Sequence, residues 1–422
     1  MTPIRVDYFW PQRYGILALL IPALLLIPSL LQYLRMASSL ALGACLAAAL
    51  LILAFAGRQL VLPCPVWNKR ATVGVWVTVL LSVITVHLLI AGLMRPVNFG
   101  RACFSAIPLL LVLTAGYGLG FLLATTRDFD VERSANVAFG LLCVVGLLTI
   151  AGVVPIRFDA YFKPVFPYTE PSHFALVFLP FLMLGCVRRR GFARLALLLL
   201  GLGIAWMLES LTLVAGWLMI STICLPTRTL LVLLAAVVPL AAQLDLTYYI
   251  DRLNFGGEGQ NLSTLVYLQG WQLLSESLQV TAGFGLGFQQ LGVYGTNVAS
   301  ADAIYSLIGD NANLLDGGFL LAKIVSEFGV LGMLVVLLYL WHAARAVRGL
   351  RRQSLSTRAK APAIDLARCV IVCFALELFV RGAGYFSGTM ILLVAALTTL
   401  SMRTAIHPAT ALACARASAV RF

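Results

Sequence analysis

Apolar stretches long enough to cross a lipid bilayer recur along most of the chain and constrain its fold more than any other feature. Hydrophobic residues make up 61% of the 422 residues and charged residues only 11%, whereas an average soluble domain has about 25% charged residues. The mean hydropathy is +0.96. Because about 20 apolar residues span the hydrocarbon core of a bilayer, the sequence predicts an all-α polytopic membrane protein.

Hydropathy predicts about 12 transmembrane helices in three parts of the chain. Residues 1–244 form a bundle of about nine helices with an outer loop at 155–171. Residues 245–316 form a large folded loop outside the membrane, and residues 317–422 hold three helices and a cytoplasmic loop at 343–364. The predicted helices are Gly15–Leu34, Ser38–Ala56, Val73–Met94, Ala102–Thr125, Ala135–Val154, Ser172–Val187, Phe192–Met207, Leu211–Leu225, Thr229–Leu244, Gly317–His342, Asp365–Arg381 and Tyr385–Met402.

The positive charge of the chain indicates its orientation in the membrane. The formal net charge is +13, and the basic residues gather in loops such as Arg188–Arg194 and Arg345–Arg368. Lys and Arg are concentrated in cytoplasmic loops of membrane proteins, so both termini are expected in the cytoplasm. Segments 155–171 and 245–316 then lie outside. This explains the charge better than nucleic-acid binding, and no nucleic-acid partner is expected.

The 245–316 loop contains two recognisable local patterns. Apolar residues recur at helical spacing over Leu262–Leu278, which predicts an amphipathic helix lying either on the outer membrane surface or against the tops of the spanning helices. Gly283–Phe288 is glycine-rich and predicts a turn that returns the loop to the membrane. The cysteines and histidines lack the spacing of a metal site, and no P-loop occurs, so neither a metal nor a cofactor is expected.

The outer loop before the sixth predicted helix carries a cluster of charged residues. Arg157, Lys163, Glu170 and His173 lie close together in a proline-rich stretch, and Pro171 suits the first turn of a helix. Such a group can provide a general base beside a site for a charged or sugar substrate. The alternative is that Glu170 only caps the helix N-terminus while His173 is an interfacial side chain.

Two further charged pairs and one carboxylate lie at the predicted outer face. Lys323 and Glu327 are four residues apart, as are Glu377 and Arg381, so each pair can close on one helix face. Lys323 or Arg381 could instead face an outer cavity and bind phosphate. Glu209 is either a second carboxylate of the same site or part of a simple turn. The sequence thus predicts that polar groups concentrate at one face, as expected for chemistry at the outer interface.

Five segments resemble bacterial O-antigen and exopolysaccharide repeat-unit polymerases of the Wzy type. Glu170–Ala175 (EPSHFA) resembles the motif that opens a helix in that family. Asn261–Trp271 and Gly283–Phe288 resemble its large periplasmic loop. Asp316–Gly329 is similar to the following helix, and Phe379–Tyr385 to its late outer turn. The resemblance covers roughly the second half of the chain.

This resemblance implies a membrane-integral, GT-C-like glycosyltransferase of the bacterial inner membrane that needs no metal. It would move a growing glycan from undecaprenyl diphosphate to one lipid-linked repeat unit at the periplasmic face. Glu170 or His173 would activate the acceptor hydroxyl. The expected partners are the undecaprenyl-diphosphate-linked oligosaccharide, membrane lipids and a chain-length regulator. The residues expected to bind substrate or its diphosphate are Arg157, Lys163, Arg252, Lys323, Glu327, Glu377, Arg381 and Tyr385, with Glu170, His173 and Glu209 as the catalytic candidates.

Two other functions fit parts of the sequence. An O-antigen ligase would use the same donor but transfer the glycan to lipid A–core. A flippase or other transporter of lipid-linked oligosaccharides would place polar residues through the bundle core and often contain an internal repeat, and neither feature is visible in the sequence.

Overall fold

The computed structural model describes residues 13–37, 39–61, 67–153, 164–242, 261–293, 298–311, 313–355 and 361–419. These ranges contain fourteen α-helices and no β-strand. The helices are α1 (Arg13–Tyr33), α2 (Leu40–Val61), α3 (Trp67–Met94), α4 (Phe99–Thr125), α5 (Asp128–Ile150), α6 (Pro171–Arg188), α7 (Gly191–Met207), α8 (Leu211–Cys224), α9 (Thr227–Ala242), α10 (Leu262–Val280), α11 (Ala299–Ile308), α12 (Leu320–Leu355), α13 (Pro362–Phe379) and α14 (Gly388–Ala419).

The helices confirm the coarse prediction of a helical membrane protein. Six of the described helices, α1, α3 to α6 and α12, are long and apolar enough to cross a membrane. Large apolar side chains also cover the outside of the bundle: Leu93 is 87% exposed and Phe104 is 77% exposed. Such a surface suits lipid and would be a liability in water.

Each of the twelve predicted apolar segments is a helix, α1 to α9 and α12 to α14, and the predicted amphipathic helix is α10. Two features were not predicted. The short helix α11 lies inside the long loop. Helix α12 continues to Leu355, through much of the predicted 343–364 loop, because this basic stretch is rich in the good helix formers Ala, Arg and Leu.

Helix α10 packs on the start of α12. Gly270 lies so close to Gly317 that a Cβ atom there would clash with the Gly317 carbonyl and would lie 2.5 Å from the Phe319 ring. The Trp271 and Phe319 rings have centroids 5.2 Å apart, and Tyr267 stands 5.1 Å from Phe319. Of the two predicted positions for this helix, the structure therefore supports packing against other helices.

Helices α6 and α13 form the centre of the bundle. Every residue of α6 from Phe174 to Val187 is buried, and α13 packs against α5, α6, α12 and α14. The tight packing of these two helices brings the residue before α6 close to the segment after α13. This is where the charged side chains of the candidate site lie.

Helix α12 is broken at Gly329, whose backbone adopts φ 55° and ψ −129°. The segment Gly283–Phe288, here called the glycine loop, occupies the break. Its amides donate to the carbonyl oxygens of Ser326 at 2.9 Å and Glu327 at 2.8 Å, and the amide of Val330 donates back to the loop at 3.0 Å. The glycine loop thus satisfies backbone groups that the broken helix would leave unpaired in the membrane.

Arg194 binds helix ends at the other end of the bundle. It is 6% exposed, and its guanidinium donates to the carbonyls of Cys186 at 2.8 Å in α6, Cys224 at the end of α8, and Ser354 at 2.8 Å near the end of α12. The last carbonyls of a helix lack partners within the helix. A single arginine therefore joins the C-terminal ends of three helices.

Replacing Arg194 with methionine should lower the free energy of unfolding by about 3 kcal/mol, because three buried carbonyl groups lose a charged donor. The matched control is Arg190→Met, which removes an exposed arginine nearby and should change stability by less than about 0.5 kcal/mol. Unfolding in mixed micelles with increasing SDS measures both. Equal stability of the two variants would contradict this role for Arg194.

Candidate functional site

A partly buried ion pair joins the start of α6 to the segment after α13. Nη2 of Arg381 donates to both carboxylate oxygens of Glu170, at 2.7 and 2.9 Å. The side chains are 14% and 23% exposed. Ser172 Oγ adds a hydrogen bond to Oε2 of Glu170 at 2.9 Å. Ser172 therefore supports the Glu170 side of this pair.

Glu170 occupies the N-cap position of α6, but its side chain does not cap the helix. Its backbone is extended, with φ −140° and ψ 148°, and Pro171 takes the first helical position as predicted. No hydrogen bond runs from the carboxylate to the helix amides. The alternative of a simple capping carboxylate is therefore not observed, because Arg381 and Ser172 hold the carboxylate instead.

The charges around Glu170 make it a weak base. Burial alone would raise the pKa of its carboxyl group, but the positive charge of Arg381 and then His173 and Ser172 outweigh burial and lower the pKa to about 2. A general base works best with a pKa near the operating pH. Glu170 is therefore suited to orienting Arg381, and His173 is the better-placed proton acceptor of the two.

His173 lies one turn into α6, half-buried. Its Nδ1 is 3.3 Å from the hydroxyl of Thr169, which leaves Nε2 as the nitrogen that can meet a substrate. Its ring interacts electrostatically with both Glu170 and Arg381. The predicted proximity of Glu170 and His173 is thus present.

The Glu170 carboxylate should stabilise the fold in a pH-dependent way that Glu170→Gln removes. Its folded pKa of about 2 lies below the ordinary value of 4.5, so the stabilisation is complete above about pH 4.5 and is lost as the pH falls toward 2. The part of the free energy of unfolding that depends on this ionisation amounts to at most about 3 kcal/mol. We expect the stability difference between parent and Glu170→Gln to be constant from pH 7 to 5 and to shrink by pH 3 in SDS titrations. A difference that stays constant down to pH 3 would show that Glu170 is not held ionised.

A second buried cation lies at the same end of the bundle. Lys323 is 1% exposed, and its Nζ donates to the carbonyl of Leu315 at 2.6 Å and to Oδ1 of Asp316 at 2.8 Å. The same ammonium group lies 5.2 Å from the centre of the Tyr385 ring. The side chain of Asp316 is half-exposed, so Asp316 is the member of this ion pair that is accessible from outside the bundle.

Tyr385 connects this lysine to a buried carboxylate. Its hydroxyl donates to Oε2 of Glu327 at 2.9 Å, and its ring is stacked on Phe288 of the glycine loop with centroids 5.9 Å apart. Burial, and then the charge of Glu327, raise the pKa of Tyr385 well above its ordinary value. The phenol therefore keeps its proton and acts as a donor.

Neither predicted i, i+4 pair closes on itself. Lys323 bonds to Asp316 rather than to Glu327, and Arg381 bonds to Glu170. Oε1 of Glu377 accepts a hydrogen bond from Ser387 at 3.1 Å instead. Helical spacing permits such pairs, but the packed bundle offers each of these side chains a partner from another segment.

Glycines allow the segment after α13 to lie directly on the start of α12. The amide of Gly382 donates to the carbonyl of Gly318 at 3.0 Å, and a Cβ atom at Gly382 would lie 2.7 Å from the amide nitrogen of Leu320. This backbone contact carries Arg381 and Tyr385 to the end of the bundle where Lys323 lies. We call residues 380–386, which make this contact, the 380–386 turn.

The other candidate residues are placed less closely or not described. Glu209 lies in the turn between α7 and α8 with φ 48°, which agrees with the turn alternative, and it is not among the charges that act on Glu170. Arg157, Lys163 and Arg252 lie outside the described residues. Asp316 belongs to the site but was not among the candidate residues selected from the sequence. The sequence feature that could have identified it is an acidic residue directly before two glycines and an apolar helix.

Charged contacts also occur at the opposite end, so polarity is not confined to one face. Arg188 forms a two-point contact with Glu132, at 2.6 and 2.8 Å, and lies 3.6 Å from Asp365. The expectation that polar groups gather at one face is wrong, because basic loop residues at this end also pair with acids at helix starts. Within the described ranges, no three His, Cys, Asp or Glu side chains come together as metal ligands.

The geometry of this site stands without support from a known relative. No protein-family model matches the chain, and no curated protein matches it.

Proposed function

We propose that this protein is an O-antigen-type polymerase, which transfers a growing glycan from undecaprenyl diphosphate to a lipid-linked repeat unit. The observation that carries the proposal is the partly buried Arg381–Glu170 pair beside His173, at the start of the EPSH segment. An arginine and a histidine beside an apolar bundle provide the two groups that this reaction needs. These are a cation for the leaving diphosphate and a base for the acceptor hydroxyl.

The two cations Arg381 and Lys323 have complementary tasks in this mechanism. The planar guanidinium of Arg381 presents several donors and can bind two phosphate oxygens at once. Glu170 holds this group in place through both of its oxygens. Lys323 offers a compact point charge, and its partner Asp316 is half-exposed. Together they would stabilise the negative charge that develops on the departing diphosphate.

His173 acts on the acceptor. A neutral imidazole accepts the proton of the attacking sugar hydroxyl as its oxygen bonds to the anomeric carbon of the donor glycan. The bond from that carbon to the diphosphate oxygen breaks, and undecaprenyl diphosphate leaves with the electron pair. Tyr385 and Glu327 position Lys323 and the glycine loop. Glu377 lies deeper and is not assigned a contact with substrate.

The same proposal includes the arrangement in the membrane. Helices α1 to α9 and α12 to α14 make twelve spans in the bacterial inner membrane, with both termini in the cytoplasm. The end that holds Arg381 and Lys323 faces the periplasm, as do α10 and α11. The three-part division at residues 245 and 317 and a partnership with a chain-length regulator belong to this proposal as well.

The test is a polymerisation assay on the purified protein in nanodiscs. The substrate is an authentic undecaprenyl-diphosphate repeat unit, without ATP or added metal, and the products are separated by length. A ladder of lengthening glycans supports the proposal. No ladder, with lipid A–core becoming glycosylated when it is added, would identify a ligase instead. Loss of substrate from one leaflet without bond formation would identify a flippase.

A further inference from the structure

Glu377 is a carboxyl group buried deep in the bundle. It is 1% exposed and lies in the last turn of α13. Together with Thr389 of α14 it provides the polar atoms of a small cavity whose other walls are apolar, among them Leu176, Pro180 and Phe374. The cavity therefore lies between α6, α13 and α14, the helices that flank the candidate site.

One oxygen of Glu377 lacks a partner. Oε1 accepts the hydrogen bond from Ser387, but Oε2 makes no hydrogen bond to any of the described residues. Among the described residues, no cation forms an ion pair with this group either. Arg381, one turn further on, is bound to Glu170, and the neighbouring titratable groups Cys373 and Tyr339 are neutral when protonated. An isolated carboxylate in such a place is very costly.

The hydroxyl groups around Glu377 leave a place for a proton on the acid. Ser387 has one hydroxyl proton, which it donates to Glu377, so the 2.9 Å contact between Ser387 and Thr389 requires Thr389 to be the donor. The oxygen of Thr389 is then available as an acceptor close to the Glu377 carboxyl group. A proton on Oε2 would complete a ring of three hydroxyl donors with Ser387 and Thr389.

We infer that Glu377 is a proton-binding site inside the membrane and that the side chain is a neutral carboxylic acid at physiological pH. The site does not depend on the proposed polymerase activity. Its ligand is a proton rather than a metal ion, because the Ser387 oxygen is already used as an acceptor. The amide of Met390 donates to it at 3.0 Å and so caps the start of α14.

The bound proton holds the 380–386 turn closed. Through Ser387, the acid at the end of α13 is bonded to the residue that caps α14, and the turn between them carries Arg381 and Tyr385. Removal of the proton would place a negative charge in the cavity, beside the residues that join α13 to α14. The proton at Glu377 is therefore expected to stabilise the position of the 380–386 turn.

Infrared spectroscopy of the full-length protein in nanodiscs tests this site directly. A carboxylic acid has a C=O stretching band that a carboxylate lacks. The difference spectrum between the parent and Glu377→Gln at pH 7 should show one such band, shifted in deuterated buffer. The same band should move in frequency in Ser387→Ala, which keeps the acid but removes the donor to Oε1. The band should persist when sodium chloride replaces choline chloride.

Two results would overturn the inference. One is a parent spectrum at pH 7 without the band, since this readout does not depend on reagent access or on activity. The other is loss of the band on adding sodium, which would make the cavity a cation site. If Glu377→Gln does not fold, the Ser387→Ala spectrum decides, because an ionised Glu377 would give no acid band to shift. Polymerisation is not measured, so the outcome is independent of the proposed function.

Discussion

Replacing Arg381 with alanine is expected to lower the rate of the proposed glycan transfer by at least about 100-fold, the usual cost of removing one preorganised donor from a developing negative charge. Arg381 is a partly buried cation with a defined geometry, held at 2.7 and 2.9 Å by Glu170. Arg381→Lys keeps the charge but loses the planar group of donors, so it should recover only part of the rate. Initial rates of ladder formation in nanodiscs measure all three proteins.

Loss of Arg381 also leaves Glu170 without its counter-ion, and the experiment has to separate this effect from catalysis. The double variant Glu170→Gln/Arg381→Ala removes the unbalanced carboxylate and should be as inactive as Arg381→Ala while regaining stability. Arg348→Ala is the matched control, because it removes an exposed arginine of α12 distant in sequence from the site. A double variant that folds well and polymerises at the parental rate would show that Arg381 takes no part in the proposed reaction.

Replacing Gly285 with alanine is expected to lower the free energy of unfolding by more than about 4 kcal/mol. So large a loss is exceptional for a single substitution and indicates disrupted packing. Gly285 has φ 99°, and a Cβ atom there would lie 2.5 Å from the amide nitrogen of Gly329 and 2.6 Å from the carbonyl oxygen of Glu327. The clash is with backbone, which cannot move aside as a side chain could. The glycine loop would have to leave the break in α12.

The control for Gly285→Ala is Gly309→Ala. Gly309 also has a left-handed backbone, φ 69°, but a Cβ atom there meets nothing within 4 Å. Gly309→Ala should therefore lower the free energy of unfolding only by the conformational penalty of about 1–2 kcal/mol. SDS titration of both variants measures how much larger the loss is when the new Cβ atom also clashes with backbone. Similar losses for the two variants would show that the glycine loop is not packed into α12.

The helices could be predicted from the sequence because the polarity of the residues in each membrane helix reflects the environment of that helix. A stretch such as Phe99–Thr125 must be apolar along its length to lie in lipid, and hydropathy detects this without knowledge of any neighbour. Helix α10 was predicted for a similar reason, since one apolar face repeats at helical spacing. Helix α11 has only ten residues, too few to show a clear period.

The charged residues of the candidate site could be selected from the sequence, but their partners could not. Charge is rare in these apolar segments, so Glu170, Lys323 and Arg381 are conspicuous. The nearest partner in sequence is four residues away for both cations, yet Arg381 bonds to a residue 211 positions earlier. Lys323 bonds to Asp316, which lies before its own helix.

Composition and spacing by themselves therefore determined that the chain forms apolar helices, roughly where these begin and end, and which few residues carry charge among them. Only the tertiary structure decided that Arg381 meets Glu170, that the glycine loop enters the break at Gly329, and that Glu377 lies beside a small cavity. The physical reason is that helix formation in a membrane depends on local polarity. Pairing depends on how α6, α12 and α13 pack, and no single segment encodes that packing.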